Sequence, residues 1–201
     1  MIRAFIFDIG NVLLRFDFSA ALKRLREKCD PASQVVLEDW QPVTAAYERG
    51  EISRAEFQQR VKQALRYTGT DPEFVSAWQE IFEENHAMTA LVRKLHGRYP
   101  LYLLSNTSDL HMDYVFRTYP VFGLFNDAVY SYRAKCMKPE RAIYETAIRQ
   151  FNAVPAETIF IDDLAPNVDA ARALGFRAIQ YSPANHDALL AELAREGVRW
   201  D

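Results

Sequence analysis

Cysteine is scarce in this sequence: two residues, Cys29 and Cys136, occur in a chain of 201. Two thiols are too few for a disulfide framework, and they do not form a cluster of metal ligands. We therefore expect both to be free thiols in a reducing compartment. The sequence also lacks an apolar run of the ~20 residues that a membrane-spanning helix needs, and it lacks a charged-then-apolar leader. These absences predict a cytoplasmic protein.

An excess of charge of one sign is also lacking, because 24 Lys and Arg residues face 27 Asp and Glu residues, for a net charge of −3. This balance provides no basic field for nucleic acid and no polybasic patch for a membrane surface. We therefore expect no nucleic-acid or membrane partner. Apolar residues make up 49% of the chain and charged residues 25%, which is ordinary for a globular protein that buries a substantial core.

The first apolar run, residues 4–7, ends in Asp8, and Gly10 and Asn11 follow closely. A central parallel strand reads as a continuous apolar run because both of its faces are covered. An Asp at its carboxyl end would lie where open α/β sheets bind their ligands. Gly and Asn permit a sharp turn there, since both tolerate positive φ. Taken alone, the segment is equally compatible with an ordinary strand end.

From Asp17 to about Glu84 the sequence shows helical periodicity and no convincing strand. Helix start signals occur at residues 53–56, which form a capping box, and at residues 70–73, where a good N-cap precedes a proline. The pattern predicts about four helices in this region. We refer to residues 16–85 as the helical insert.

After the helical insert, apolar strand patterns alternate with helical ones, which predicts a parallel sheet with helices on both faces. The expected strands are residues 101–104, 128–131, 158–161 and 178–181, and the expected helices are residues 88–95, 110–117, 142–151, 167–174 and 186–196. The predicted fold is α/β: a doubly wound, Rossmann-like parallel sheet with a small all-helical unit inserted after the first strand.

Polar residues follow the predicted strands, and parallel strands all end at one edge of the sheet. Oxygen ligands and an ammonium at one edge suit a divalent cation such as Mg²⁺ together with a phosphate. Each of these polar residues, taken alone, has an ordinary explanation as a strand-end turn, a solvated lysine or a helix start. Their joint occurrence at one edge of the sheet is a much rarer coincidence. The residues expected to converge are Asp8, Ser105, Asn106, Lys138, Asp162 and Asp163.

These motifs together resemble the haloacid dehalogenase-like hydrolase superfamily. The matching stretches are Asp8-Ile9-Gly10-Asn11-Val12, Leu104-Ser105-Asn106, Lys138-Pro139 and Ile161-Asp162-Asp163. The helical insert, with its stretches 47–53 and 56–57, is similar to the helical cap of such proteins. The resemblance implies a core domain of residues 1–15 and 86–201 and a cap domain of residues 16–85. The chain is most similar to the α-D-glucose-1-phosphate phosphatase branch and less so to the phosphatase domain of soluble epoxide hydrolases.

The resemblance implies a Mg²⁺-dependent phosphomonoester hydrolase that acts on a small phosphorylated metabolite, with a sugar phosphate as the substrate class. Asp8 would be the nucleophile and form an aspartyl-phosphate, with Lys138 stabilising the charge. Ser105 and Asn106 would bind the phosphate oxygens.

The same resemblance implies that Mg²⁺ is held by Asp8, by the backbone carbonyl of Gly10 and by one acid of the Asp162-Asp163 pair. We favour Asp163 as the direct ligand and expect Asn167 to brace its loop.

The sequence departs from the superfamily pattern at Gly10, where most phosphatases carry a second Asp that protonates the leaving group. General acid–base help is typically worth about 10²–10⁴-fold. Three accounts are open: another residue supplies the proton, water or the substrate does so, or turnover is slow. A second departure is Lys135, where relatives usually have Gly before the Lys-Pro pair.

Two alternatives to a phosphatase remain. A 2-haloacid dehalogenase uses a strand-end Asp nucleophile but needs no metal, so the paired Asp162 and Asp163 would be out of place. A non-catalytic phosphate-binding or interaction protein is favoured by Gly10 alone.

For substrate contacts we expect Phe16 and Asp17, whereas Trp40, Tyr47, Trp78 and Phe82 are expected mostly in the core of the insert.

Overall fold

The computed structural model describes residues 1–30 and 41–200 of the chain. In chain order the strands are β1 (Ala4–Phe7), β2 (Leu14–Phe16), β3 (Phe82–Glu84), β4 (Leu101–Ser105), β5 (Asp127–Tyr130), β6 (Thr158–Asp162) and β7 (Arg177–Gln180). The helices are α1 (Phe18–Arg26), α2 (Gln41–Glu48), α3 (Arg54–Leu65), α4 (Asp71–Gln79), α5 (His86–Leu95), α6 (Asp109–Thr118), α7 (Ser131–Ala134), α8 (Arg141–Phe151), α9 (Ala165–Ala173) and α10 (His186–Arg195). Short 3₁₀ turns occupy Pro120–Leu124 and Pro155–Glu157.

Within the described residues, a five-stranded parallel sheet has the order β5-β4-β1-β6-β7. The central strand β1 pairs with β4 on one side and with β6 on the other. Its residues Phe5, Ile6 and Phe7 have no solvent exposure. This explains the continuous apolar run, because a central strand of a parallel sheet is covered on both faces.

Side chains of β1 alternate between two apolar cores, one on each face of the sheet. Phe5 and Phe7 belong to a core that includes side chains of α5, α6 and α10. Ile6 belongs to the opposite core, which includes side chains of α8 and α9. Helices therefore cover both faces, and the predicted doubly wound α/β fold is confirmed. A minor difference is Ser131, which begins α7 instead of ending β5.

The expectation of no strand between Asp17 and Glu84 is wrong at β3. This strand pairs in antiparallel fashion with β2, so that Leu14 faces Glu84 and Phe16 faces Phe82. Each strand is only three residues long, and residues 17–81 separate the two in the chain. A pairing this short and this distant leaves no local periodicity to detect.

The helical insert has an apolar core of its own, and Leu110 of α6 also belongs to it. The insert therefore packs against the sheet domain. Tyr47 and Trp78 lie in this core, as expected. Phe82 instead lies in β3 and packs against the sheet core that contains Phe5 and Phe7. Trp40 is outside the described residues.

Both predicted helix starts carry side-chain caps. At α4 the Thr70 hydroxyl accepts from the Glu73 amide, and the Glu73 carboxylate accepts in return from Thr70, which completes a capping box. At α3 the Ser53 hydroxyl accepts from the Glu56 amide. The Glu56 carboxylate pairs instead with Arg60, so the second half of the expected box is not formed.

The division into a core of residues 1–15 and 86–201 and a cap of residues 16–85 stays a prediction. Its two boundaries fall within β2 and just after β3. In the part of the chain that the structure describes, no helix is sufficiently long and apolar to span a bilayer.

Candidate active site

The strand order brings three predicted site residues to neighbouring positions. Asp8 directly follows β1, Ser105 ends β4 and Asp162 ends β6, and these three strands are adjacent in the sheet. The amide of Asp8 donates to the Ile161 carbonyl at 2.9 Å, which extends the pairing of β1 with β6. Asp8, Ser105 and Asp162 are all buried. The convergence expected from topology is therefore present.

Lys138 reaches this edge from the loop before α8. Its Nζ lies 2.8 Å from Asp8 Oδ1 and 2.6 Å from Asp162 Oδ2, and the lysine side chain is 1% exposed. Burial lowers the pKa of Lys138, but the charges of Asp8 and Asp162 outweigh that effect and raise it overall. Lys138 therefore carries a positive charge fixed against the candidate nucleophile.

Asn106 holds the Lys138 backbone in place. Its Oδ1 accepts from the Lys138 amide at 2.8 Å, and its Nδ2 donates to the Lys138 carbonyl at 2.9 Å. The side chain of Asn106 thus positions the lysine. Binding of phosphate by Ser105 and Asn106 stays a prediction.

The two carboxylates of the Asp162-Asp163 pair have different surroundings. Asp162 Oδ1 accepts from the Leu164 amide and from Asn167 Nδ2, both at 2.9 Å, while Oδ2 accepts from Lys138. Asp163 is half-buried, and its Oδ2 accepts from Asn11 Nδ2 at 3.0 Å. Asn167 therefore contacts Asp162, the residue next to Asp163, and its expected role in bracing the Asp163 loop stays a prediction.

Oxygens of Asp8, Asp162 and Asp163 lie within 4.8 Å of one another. Burial, opposed by Lys138 and reinforced by Asp162, raises the pKa of Asp8 to about 6. Burial also raises the pKa of Asp163. Three crowded carboxylates beside one ammonium favour an additional cation, and an all-oxygen donor set fits Mg²⁺. The residues present therefore fit the expected metal.

Gly10, the first departure from the superfamily pattern, lies beside the aromatic ring of Phe16. A Cβ added to Gly10 would lie 3.1 Å from Cε1 of Phe16, so the phenylalanine ring occupies the space beside that position. The turn itself uses Asn11, which has a left-handed φ of 53°. A side chain at position 10 would therefore require the Phe16 ring to shift slightly, and Asn11 provides the positive φ of the turn.

The second departure, Lys135, lies in a left-handed conformation with φ of 59° at the end of α7. Glycine adopts this conformation without strain, which is consistent with the glycine that the superfamily pattern has at this position. In this chain the Lys135 ammonium donates to the Gly50 carbonyl of the insert. The lysine thus links the loop that delivers Lys138 to the insert.

A cavity of about 80 Å³ adjoins the strand ends and lies partly under the insert. Its polar lining includes the Ser105 and Asn106 turn, and Phe16 lines it as expected. Asp17 does not line it, because its carboxylate caps α1 by accepting from the Ser19 amide at 2.8 Å. The full lining is Ile9, Gly10, Phe16, Phe18, Glu48, Ile81, Phe82, Ser105, Asn106, Thr107, His111, Met112 and Val115.

Two titratable residues of this lining, Glu48 and His111, were not expected from the sequence. Glu48 lies in the insert stretch that resembles the cap, but no spacing rule connects it with the strand ends. His111 lies on α6 in an apolar helix pattern. A larger groove of about 680 Å³ next to β5 and α6 is lined by none of the predicted site residues, whereas Gly10, Ser105 and Asn106 line the smaller cavity.

Comparisons with known proteins identify the family of this chain. The family model for haloacid dehalogenase-like hydrolases matches residues 2–175, and the chain therefore belongs to that family. It is 26% identical over 191 residues to a D-ribitol-5-phosphate phosphatase of Bacteroides thetaiotaomicron, covering 90% of this chain and 92% of the relative. It is 28% identical over 187 residues to a sesquiterpene phosphatase of Aspergillus oryzae, covering 86% of each chain.

Among solved structures, a haloacid dehalogenase-family enzyme of Bacteroides thetaiotaomicron, in complex with magnesium and inorganic phosphate, has a TM-score of 0.81 to this chain. The sequence identity is 26%, and the match covers 91% of this chain and 96% of the other. The resemblance stated from the motifs is thus confirmed at the level of the superfamily. Membership of the α-D-glucose-1-phosphate phosphatase branch stays a prediction.

Proposed function

We propose that this protein is a Mg²⁺-dependent phosphomonoester hydrolase that forms an aspartyl-phosphate at Asp8. The observation that carries the proposal is the position of the Asp8 carboxylate. It lies at the end of the central strand, 2.8 Å from a buried ammonium and among two further carboxylates. The family and its phosphatase relatives support the same chemistry.

Each polar group has a role in this proposal. Asp8 attacks the phosphorus atom, which divides one difficult hydrolysis into two easier displacements. Lys138 and the Ser105 hydroxyl stabilise the negative charge on the phosphoryl oxygens. Asp162 accepts from three protein donors and holds Lys138 in place.

Asp8, the Gly10 carbonyl and Asp163 would hold Mg²⁺, because the Asp163 carboxylate is only half-buried and lies within 4.8 Å of the others, whereas Asp162 accepts from Lys138, Leu164 and Asn167. Bound Mg²⁺ supplies positive charge that lets an anionic nucleophile approach a phosphate.

The proposal is tested with p-nitrophenyl phosphate as substrate. We expect hydrolysis that requires Mg²⁺ and is lost in Asp8→Asn, a change that keeps the shape and removes the nucleophile. The matched control is Asp127→Asn, since Asp127 is exposed at the amino end of β5. Halide release from a 2-haloacid without metal would support the dehalogenase alternative. Binding of a phosphate analogue without turnover would support the non-catalytic one.

For the substrate we propose a small phosphorylated metabolite, and the cavity lining bears on its class. A sugar phosphate is the class that the motif resemblance implies, and a ribitol-phosphate phosphatase is among the relatives. The lining around the Ser105 turn is, however, largely apolar, and it includes Phe16, Phe18 and Phe82. This lining favours an organic group with apolar surface next to the phosphate.

A panel of phosphate monoesters tests the substrate class. Ribitol 5-phosphate and glucose 1-phosphate represent polar esters, and short alkyl and isoprenyl phosphates represent apolar ones. A higher kcat/KM for the apolar esters is expected from the lining. Phe16→Asn should reduce this preference, because it replaces an aromatic wall with a polar amide. A wild-type preference for the polar esters would favour the sugar-phosphate class instead.

A further inference from the structure

The proposed reaction needs a general acid and a general base, and no residue has so far been assigned to either role. The leaving oxygen must gain a proton in the first displacement, and the attacking water must lose one in the second. Gly10 has no side chain for this task. Among the described residues that line the cavity, the titratable side chains are those of Glu48 and His111.

Glu48 is the last residue of α2, and it lines the same cavity as Gly10, Ser105 and Asn106. Within residues 1–30 and 41–200, its carboxylate has neither a paired cation nor a hydrogen-bond donor. Burial and the neighbouring charge of Asp8 raise the pKa of Glu48 to about 7. Such a carboxyl exchanges protons readily near neutral pH.

The backbone around Glu48 is attached firmly to the sheet domain. The Ser131 hydroxyl donates to the Glu48 carbonyl at 2.6 Å, and the Ser131 Oγ accepts from the Thr107 amide at 2.9 Å. Residues on both sides of Glu48 are also tied down. Tyr47 donates to Asp109 of α6, and Arg49 forms an ion pair with Glu140 at 2.7 Å. These contacts fix the end of α2 over the strand ends.

His111 is a poor candidate for the same task. Its ring is buried, stacks on Trp78 and makes an edge contact with Phe82. Burial lowers the pKa of His111 to about 4, so the ring is neutral at pH 7 and holds no acidic imidazolium proton to donate. Glu48 is the group that remains.

We propose that Glu48 of the helical insert is the general acid and base of the reaction and takes the place of the side chain missing at Gly10. This inference rests on the proposed phosphatase function. In the first step Asp8 attacks phosphorus, the bond from phosphorus to the ester oxygen breaks, and the Glu48 carboxyl gives that oxygen its proton. In the second step the Glu48 carboxylate takes a proton from water, whose oxygen attacks phosphorus and releases Asp8 and inorganic phosphate.

The first test compares Glu48→Gln with the wild type on two esters, an alkyl phosphate and p-nitrophenyl phosphate, with Mg²⁺ present. For the alkyl ester, kcat should fall by about 10²-fold or more, because an alkoxide leaves poorly without a proton. Glu51→Gln is the matched control, since Glu51 is exposed on the same segment and should retain wild-type turnover. Equal melting temperatures establish that both variants are folded.

The second test is pre-steady-state release of p-nitrophenolate, which leaves without protonation. Glu48→Gln should release about one equivalent per active site in a burst and then turn over slowly, because the base that activates water in the second step is missing. A structural role for Glu48 would slow both steps and give no burst.

The outcomes separate the two proposals. Wild-type turnover of the alkyl ester by Glu48→Gln, or a loss of activity that excess Mg²⁺ restores, would overturn the assignment of Glu48 and leave the phosphatase function intact. Full activity of Asp8→Asn would instead overturn the proposed function itself.

Discussion

The ammonium of Lys138 lies between two carboxylates, and its side chain is 1% exposed. A buried ion pair gains little net stability over an apolar pair, but removal of one partner leaves the others uncompensated. Lys138 therefore serves two purposes at this site. It balances Asp8 and Asp162 in the folded protein, and it places positive charge where a phosphoryl group would arrive.

Replacement of Lys138 by Met should abolish phosphatase activity and lower the free energy of unfolding by roughly 3–5 kcal/mol, the usual cost of an unpaired buried charge. Urea unfolding in the absence of Mg²⁺ measures this change. Lys94→Met, on an exposed position of α5, is the control and should unfold like the wild type. A Lys138→Met protein as stable as this control would contradict the expected electrostatic balance.

His111 makes stability depend on pH. Its pKa is about 4 in the folded protein and 6.5 when unperturbed, so below pH 6.5 the unfolded chain binds a proton that the folded chain does not. Above pH 6.5 the free energy of unfolding is not reduced by His111. As the pH falls from 6.5 toward 4, His111 lowers the free energy of unfolding by about 1.4 kcal/mol per pH unit. In His111→Gln this contribution should vanish. Urea midpoints at pH 7.5 and pH 5 test it, and equal pH slopes for the two proteins would refute it.

At the scale of elements, the end of α2 and the start of α3 form the link between the helical insert and the sheet domain. Arg54 forms ion pairs with Asp109 at 2.9 Å and with Asp113 at 2.5 Å, both on α6. Tyr47 shares Asp109 as its acceptor. Contacts of α2 and α3 with α6 thus keep Glu48 at the cavity.

Arg54→Met should loosen this link without unfolding the protein, because exposed ion pairs contribute only about 0–1 kcal/mol each. We expect faster amide hydrogen exchange in α2 and a lower kcat/KM, with a melting temperature close to that of the wild type. Arg60→Met is the matched control, since Arg60 pairs with Glu56 within α3 and does not contact the sheet domain. Unchanged exchange in α2 of Arg54→Met would contradict a role for this ion pair.

At the scale of the whole molecule, the order of the sheet decides which groups meet. Strand β1 lies between β4 and β6, so the residues that follow these three strands share one small region although they are far apart in sequence. A cation that binds there contacts groups from distant parts of the chain. Binding of the cation should therefore raise the free energy of unfolding.

Mg²⁺ should raise the free energy of unfolding by about 2.7 kcal/mol at a concentration one hundred times its dissociation constant, provided that only the folded state binds it. Thermal unfolding with increasing Mg²⁺ measures this effect without substrate. Asp163→Asn should abolish the stabilisation, and Asp127→Asn should retain it. A Mg²⁺-dependent rise in melting temperature that persists in Asp163→Asn would exclude Asp163 as a ligand.

The sequence alone determined the α/β fold and the edge of the sheet where the polar residues gather. Apolar runs identify buried strands, and alternation with helices makes the strands parallel, so the residues after them must meet at one edge. The positions of Asp8, Ser105 and Asp162 follow from this rule, whereas Lys138 reaches the same edge from the loop before α8.

Only the tertiary structure decided which side chains contact one another there. It assigned Asn167 to Asp162, made Asp17 a helix cap and paired β3 with β2. It also brought Glu48 from the insert to the cavity. These contacts join segments that are distant in the chain or depend on the direction of a single side chain, and neither property leaves a periodic signal in the sequence.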